Sequence, residues 1–294
     1  MSVPLALREA VELADRALSE HQGCIAFSGG VDSSILVDLV YRFTQHRPPL
    51  LFADSGLESD ETRQHVQAFA TRYGARLMIA RPVPSPEETW AKSGLPLIGK
   101  QAGAEWQAKH AGMGFRVSCS SCCKARKIQP ARRLMRAEGF DLQLTGLRGD
   151  ADSASRGMRA AKDGTYYFHQ ADKIWVCNPL SSWSDMKGRL YAKKYAVPMH
   201  PAVLAGHQSP GCVPCGGGAM FTGSNLRTMR LRYPEAWRKY IPILGPAVLS
   251  VKYGAPLTAI HRVLERLGGL EVLMRDRPHV FDFTRRIPLE SYRR

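Results

Sequence analysis

The stretch VSCSSCCKARK, Val117 to Lys127, places three of the chain's seven cysteines within five positions and follows them with three basic residues. Thiols this dense can bind metal, pair as a disulfide, or attack as nucleophiles once ionised. A further pair, Cys212 and Cys215, stands two residues apart far downstream. A second kind of chemistry is offered by FSGGVDSS, Phe27 to Ser34. Gly29 and Gly30 let the backbone approach a ligand closely, and the amides and dipole of a helix starting there favour a phosphate group. Ser28, Ser33 and Ser34 add hydroxyl donors. The stretch is neither a Walker A loop, since Gly-Lys-Ser/Thr is missing, nor a G-x-G-x-x-G dinucleotide fingerprint.

Both stretches need a scaffold, and the flanking pattern supplies one. GCIAFSGG reads as a buried strand entering a turn, and VDSSILVDLVYRFTQ as the helix that follows. PPLLFADSG, ARLMIARPVP and FDLQLTGLRGD read as three more buried strands, the first two separated by the helix ESDETRQHVQAFATRYG, and KIWVCNPLSSW as another short strand. Strands alternating with helices predict an α/β fold, a parallel sheet flanked by helices with sites at the strands' C-terminal ends. Between Pro82 and Arg116 the pattern dissolves into Pro, Gly, Lys and Trp, which predicts a long loop or lid. CCKARKIQPARRLMRAEG predicts a basic helix interrupted by Pro130. LRTMRLRYPEAWRKY and PLTAIHRVLERLGG predict a small helical C-terminal subdomain, so the expected domains are residues 1–215 and 216–294.

The 294 residues carry 41 Lys and Arg against 26 Asp and Glu, a net charge of +15. A polyanionic partner is favoured, nucleic acid above membrane. The N-terminal MSVPLALREAVELADRALSEH reads as an amphipathic helix rather than a signal peptide, and no apolar run approaches a membrane span. A cytoplasmic protein is expected, in a compartment where clustered cysteines bind metal or do chemistry more often than they form disulfides.

Ser28 to Ser33 match in full the Ser-Gly-Gly-x-Asp-Ser signature, so the segment resembles the pyrophosphate-binding loop (PP-loop) of the ATP pyrophosphatase family. Those enzymes cut ATP between the α and β phosphates and adenylate a substrate, with Mg²⁺ beside the loop's Asp, here Asp32. The resemblance implies ATP binding by Ala26, Phe27, Ser28, Gly29, Gly30, Asp32, Ser33 and Ser34, with Asp54 and Ser55 of FADSG and Gly146 of the fourth strand's tip. LFADSGLESDET, CCKARKIQPARRLM, LTGLRGDADSASR and YAVPMHPAVLAGHQSPGCVPC occur in the order, and near the spacing, of segments in the phosphoadenylyl-sulfate and adenylyl-sulfate reductase family. The similarity covers roughly residues 20 to 215 and implies the adenine nucleotide alpha-hydrolase-like fold.

In the iron-sulfur branch of that family a Cys-Cys pair and a distant Cys-x-x-Cys bind a [4Fe-4S] cluster. The matching residues are Cys122, Cys123, Cys212 and Cys215, with Lys124, Arg126 and Lys127 offsetting the cluster's charge or facing phosphate. Four thiolates also suit zinc. Cys24 and Cys177 lie in strand-like runs and read as core.

The family pattern breaks in two places. Sulfonucleotide reductases carry their nucleophile in a C-terminal Glu-Cys-Gly-Leu-type motif, and this sequence has no cysteine after Cys215. They also usually have a modified glycine loop, whereas this one keeps the ATP-cleaving form. The expectation is an iron-sulfur ATP pyrophosphatase that adenylates DNA or tRNA for sulfur insertion, as in DNA phosphorothioation or tRNA thiolation, with a cysteine desulfurase as sulfur donor. Asp32, Arg148 and Cys119 are its expected catalytic residues, although Cys119 reads equally as a bystander or an alternative ligand. Arg156 and Arg159 are expected to neutralise phosphates, and His200 and His207 are either functional or ordinary polar surface. Two rivals stand: a sulfonucleotide reductase borrowing its nucleophile from Cys119 or a partner, and a non-catalytic nucleic-acid-binding protein with a relic nucleotide site.

Overall fold

A computed structural model describes residues 5–97, 105, 107–109, 111–149, 164–205, 210–215 and 229–276. The chain divides into two compact units, residues 1–81 with 127–210, and residues 82–126 with 211–294. This interleaving replaces the linear boundary expected after Cys215. The segment 82–126 goes with the C-terminal helices through buried Trp90 and Met113. Trp90 packs edge-on against Tyr240 at 5.4 Å, and Met113 accepts a hydrogen bond from buried Ser250.

The first unit holds a six-stranded sheet: β1 (Gly23–Ala26), β2 (Leu50–Ala53), β3 (Leu77–Ala80), β4 (Leu142–Leu144), β5 (Tyr166–His169) and β6 (Ile174–Cys177), in the order β3-β2-β1-β4-β6-β5. All neighbours are parallel except β5 and β6, which form an antiparallel edge. β5 is not apparent from sequence because YYFH is short and lies next to the turn that ends at Lys173, whose φ is +52°. Helix Leu5–Glu20 buries Leu7, Ala10, Ala14 and Ala17, the small-residue stripe that lets it lie close to the sheet. Helix Val31–Phe43 is buried almost throughout, as its unbroken apolar run requires. The smaller core on the other face gathers Cys24, Leu51, Met78 and Met135.

The chain runs outward from β1 through β2 to β3, then returns to β4 on β1's other side. The loops after β1 and β4 therefore diverge at a topological switch point, where open α/β sheets bind ligands.

In the second unit, Pro86–Ser93 is a helix where a loop or lid was expected. Ser85 and Glu88 make a reciprocal capping box, and Pro86 sits in the first turn where its missing N–H costs nothing. Helix Cys119–Cys123 leads into a π turn, Lys124–Ile128, and then, in the first unit, helix Gln129–Ala137. Pro130 does not break this segment; it occupies the first turn of the last helix, and the widened turn lies just before it. Helices Pro234–Tyr253, Leu257–Arg266 and Leu270–Asp276 complete the described part of the second unit. Among the described residues no single helix is long and apolar enough to cross a membrane.

Candidate functional site

The loop after β1 is built around Gly29, whose φ of +73° favours glycine. A Cβ there would also meet His65 and Val66 side chains at 3.3 Å. Ser28 and Ser33 hydroxyls lie 3.1 Å apart, Gly30 N–H donates to Ser28 Oγ, and Ser33 Oγ donates to the Gly30 carbonyl. This lacing holds the loop open at the N-terminus of helix Val31–Phe43, whose Gly30 cap brings no side chain to the first-turn amides. Those amides have no intrahelical acceptor and point at whatever sits over the loop. Ser34 Oγ is buried beneath it without a hydrogen-bond partner.

Two further strand tips close on this loop. Gly146, after β4, runs against the helix start so tightly that a Cβ would lie 2.7 Å from the Asp32 carbonyl carbon and oxygen and 2.9 Å from Ser33 N. Two residues on, buried Arg148 places its Nε 2.8 Å from Asp32 Oδ1 and an NH2 3.2 Å from Asp185 Oδ1. Arg189, then burial and Arg148, act on Asp185, and the two arginines hold its carboxyl below the usual range. Sequence patterning does not single out Asp185; its only local signal is a Ser184 helix cap.

After β2, burial of Asp54 would raise its pKa, but hydrogen bonds from Arg63, the Gly56 N–H and Arg81 keep it ionised and below its ordinary value. Ser55 donates to the Glu58 carboxylate, which also accepts the ammonium of Lys127 at 2.9 Å. Lys127, expected beside a cluster or phosphate, is thus engaged with Glu58. His65 packs against His200 at 5.0 Å. His200, buried, accepts the Ala202 N–H at Nδ1 and lies 3.1 Å from Thr62 Oγ1 through Nε2. Burial, and then His200, push the His65 pKa down to about 4, so it is neutral at ordinary pH. Sequence patterning could not single out His65, because it sits within an ordinary amphipathic helix.

Cys119, Cys122, Cys123, Cys212 and Cys215 belong to the second unit, Cys24 and Cys177 to the first. Cys122 is buried, and Cys123, Cys212 and Cys215 are at least partly accessible; none of the four is in a disulfide. Burial raises the Cys122 pKa; the Trp90 indole opposes this, Cys123 and Cys215 add to it, and Arg126 opposes it again. Arg126 is itself buried and donates to the Pro84 carbonyl and Thr89 Oγ1, both at 2.8 Å, so it faces the unit's interior and not a substrate. Lys124 is exposed. Burial pushes Cys24 and Cys177 up to about 12, which fits their reading as core. The Cys119 backbone opens its helix. Arg156, Arg159 and His207 lie outside the described residues.

Among the described residues no three His, Cys, Asp or Glu side chains surround one point, as a single metal ion requires. A cuboidal cluster instead takes one thiolate at each iron. The donor set of Cys122, Cys123, Cys212 and Cys215 supplies the four thiolates that such a cluster takes.

The phosphoadenosine phosphosulfate reductase domain matches residues 22–217. The chain belongs to that family. The adenosine 5'-phosphosulfate reductase of Allochromatium vinosum is 26% identical over 234 residues, which cover 78% of this chain and 81% of that protein. The Mycobacterium tuberculosis H37Rv protein of the same name is 29% identical over 185 residues, 62% of each chain, so this chain spans less than two thirds of it. Phosphoadenylyl-sulfate reductase from Candida auris, solved as a phosphate complex, shares the fold with a TM-score of 0.50, 21% identity, 69% of this chain and 88% of its own. The phosphoadenosine phosphosulfate reductase family is one of enzymes, and the β1 and β4 tips described above lie inside its matched span.

Proposed function

We propose that this member of the phosphoadenosine phosphosulfate reductase family is an ATP pyrophosphatase that adenylates a nucleic acid, DNA or tRNA, for sulfur insertion. The observation that carries the reading is the complete Ser28-Gly29-Gly30-Val31-Asp32-Ser33 loop at the switch point, with Gly29 left-handed and Arg148 buried against Asp32. Loop amides, the Ser28 and Ser33 hydroxyls and the helix dipole hold the β and γ phosphates. A substrate oxygen attacks the α-phosphorus, the bond to the bridging oxygen breaks, and pyrophosphate leaves with the electron pair. Arg148 stands where it can take up charge released onto the leaving group. Mg²⁺, when bound, supplies further charge neutralisation, and Asp32 is the carboxylate that would hold it. The terminal sulfur of a persulfide originating in a cysteine desulfurase then attacks the activated position and displaces AMP, and a thiol reductant cleaves the resulting sulfur–sulfur bond, leaving the sulfur on the substrate and departing as a disulfide. The four cysteines of the second unit would hold an iron-sulfur cluster, which supplies a Lewis-acidic iron-sulfur centre to this sulfur chemistry. The high positive charge supports the polyanionic partner.

The names of the curated relatives favour a second reading, reduction of adenylyl sulfate. Full-length protein given α-labelled ATP and nucleic acid is expected to release AMP and pyrophosphate, with Asp32→Ala at least about 100-fold slower, the scale of losing a preorganised charge partner. Sulfite from adenylyl sulfate and a thiol donor, with no pyrophosphate from ATP, would establish the second reading instead.

A further inference from the structure

Arg148 is 4% exposed and lies between two carboxylates. Its Nε stands 2.8 Å from Asp32 Oδ1, and its NH2 group donates to Asp185 Oδ1 at 3.2 Å. Asp32 belongs to the loop helix and is the carboxylate that would hold Mg²⁺ with a nucleotide. Asp185 belongs to another element, the first turn of helix Asp185–Lys194, where Ser184 Oγ accepts the Lys187 N–H. That helix is anchored independently of Arg148. Tyr191 donates to buried Asp38 Oδ2 at 2.7 Å, and Gly188 runs so close to helix Val31–Phe43 that a Cβ would meet Ile35 Cδ1 at 3.3 Å. The main chain after Arg148 is tied to the same side, since the Gly149 N–H donates to the Ser181 carbonyl at 2.8 Å. The second oxygen of Asp185 accepts Arg189 Nε at 2.6 Å, which fixes the carboxylate's orientation.

A buried guanidinium needs anionic partners, and leaving it short of one is costly. When Asp32 turns to a metal ion, Arg148 loses one of its two. Phosphate oxygens match the guanidinium fork as well as a carboxylate does, and the loop beside Arg148 is the place that gathers them. We propose that Asp185 is a positioning residue for Arg148: it holds the guanidinium at the β4 tip while Arg148 exchanges Asp32 for a phosphate of the bound nucleotide. This rests on the ATP reading above. Without Asp185 the guanidinium would stay with Asp32, so metal and arginine would compete for one carboxylate. The consequence is a specific coupling, in which Asp185 lets Mg²⁺ and nucleotide assist each other's binding.

The test uses full-length protein and α,β-methylene ATP, which cannot be cleaved between the α and β phosphates, with affinity measured by calorimetry in excess Mg²⁺ and again in EDTA. In Asp185→Asn the ratio of the two affinities is expected to fall about 10-fold, within the usual range of coupling between two ligands, and Asp185→Glu should restore most of it. A role in folding alone would weaken both affinities equally. A ratio unchanged in Asp185→Asn would therefore overturn the proposal, whatever the absolute affinities. A second measurement leaves Asp185 in place. In protein labelled with ¹⁵N-arginine, the Arg148 Nε–H resonance, assigned by its loss in Arg148→Lys, should move when the Mg²⁺ complex of the analogue binds. A resonance that stays in place sinks the exchange even where Asp185→Asn fails to fold. Wild-type protein that binds the analogue in neither condition would overturn the ATP reading and the exchange with it, whereas tight binding with an unchanged ratio or resonance refutes the exchange alone.

Discussion

At the scale of single residues, Gly146 and Gly29 serve the same loop for different reasons. Gly29 is required by backbone conformation, with φ +73°, whereas Gly146 is required by proximity, because the β4 tip presses on the Asp32 backbone. The Gly146→Ala methyl would meet main-chain atoms that cannot rotate away, so the strand tip or the helix start must shift. We expect a destabilisation of about 1–3 kcal/mol, the cost of overpacking a tight region, visible as a lower midpoint in urea. Arg148 would move with the tip, so nucleotide affinity should fall with stability. Unchanged affinity in a destabilised Gly146→Ala protein would show that the β4 tip does not shape the nucleotide site. Arg148 was legible from sequence as a charge following a strand. Its partner Asp185, 37 residues on, was not, because nothing local connects them.

At the scale of elements, the main surprise is helix Pro86–Ser93. Composition alone, rich in Pro and charge, argued for a loop, but Ser85-Pro86-Glu87-Glu88 is a complete helix-start signature. Ser85 accepts the Glu88 N–H, and Glu88 accepts the Ser85 N–H in return. Replacing Ser85 by Ala should cost the helix about 1 kcal/mol, measured as faster amide exchange across residues 86–93. Exchange should rise there and stay constant in helix Val31–Phe43, which has an unrelated cap. A rise of equal size in both would mean that the cap supports the whole chain rather than its own helix. The π turn at Lys124–Ile128 has a similar local origin in Pro130, and periodicity methods that assume 3.6 residues per turn read straight through it.

At the scale of the whole molecule, charge is divided unevenly between the two units. The cysteine-bearing unit has 20 Lys and Arg against 9 Asp and Glu, and the sheet unit 21 against 17. A polyanion should therefore lie chiefly on the cysteine-bearing unit, the one that would deliver sulfur. Arg238→Gln with Arg262→Gln removes two exposed charges there, and Lys187→Gln with Lys193→Gln removes two from the sheet unit. The first pair is expected to weaken duplex binding and reduce the slope of log Kd against log salt by about 0.9 for each phosphate no longer neutralised. The second pair should leave both nearly unchanged. Equal effects from the two pairs would place the polyanion on neither unit in particular.

The order of amino acids alone dictates the parallel core of the sheet, because fully buried strands read as apolar runs ending in glycine, and such runs recur before FSGG, DSG and TGL. It also dictates the loop chemistry and the set of four cysteines, since both are written in residue type and short spacing. Three things emerge only on folding: the pairing of Asp32 and Asp185 with Arg148, the commitment of Lys127 to Glu58, and the bonding of buried Arg126 to Pro84 and Thr89. Each joins residues distant in the chain. Their free energy comes from desolvation and charge pairing that exist only once the units have folded, and no local pattern records it.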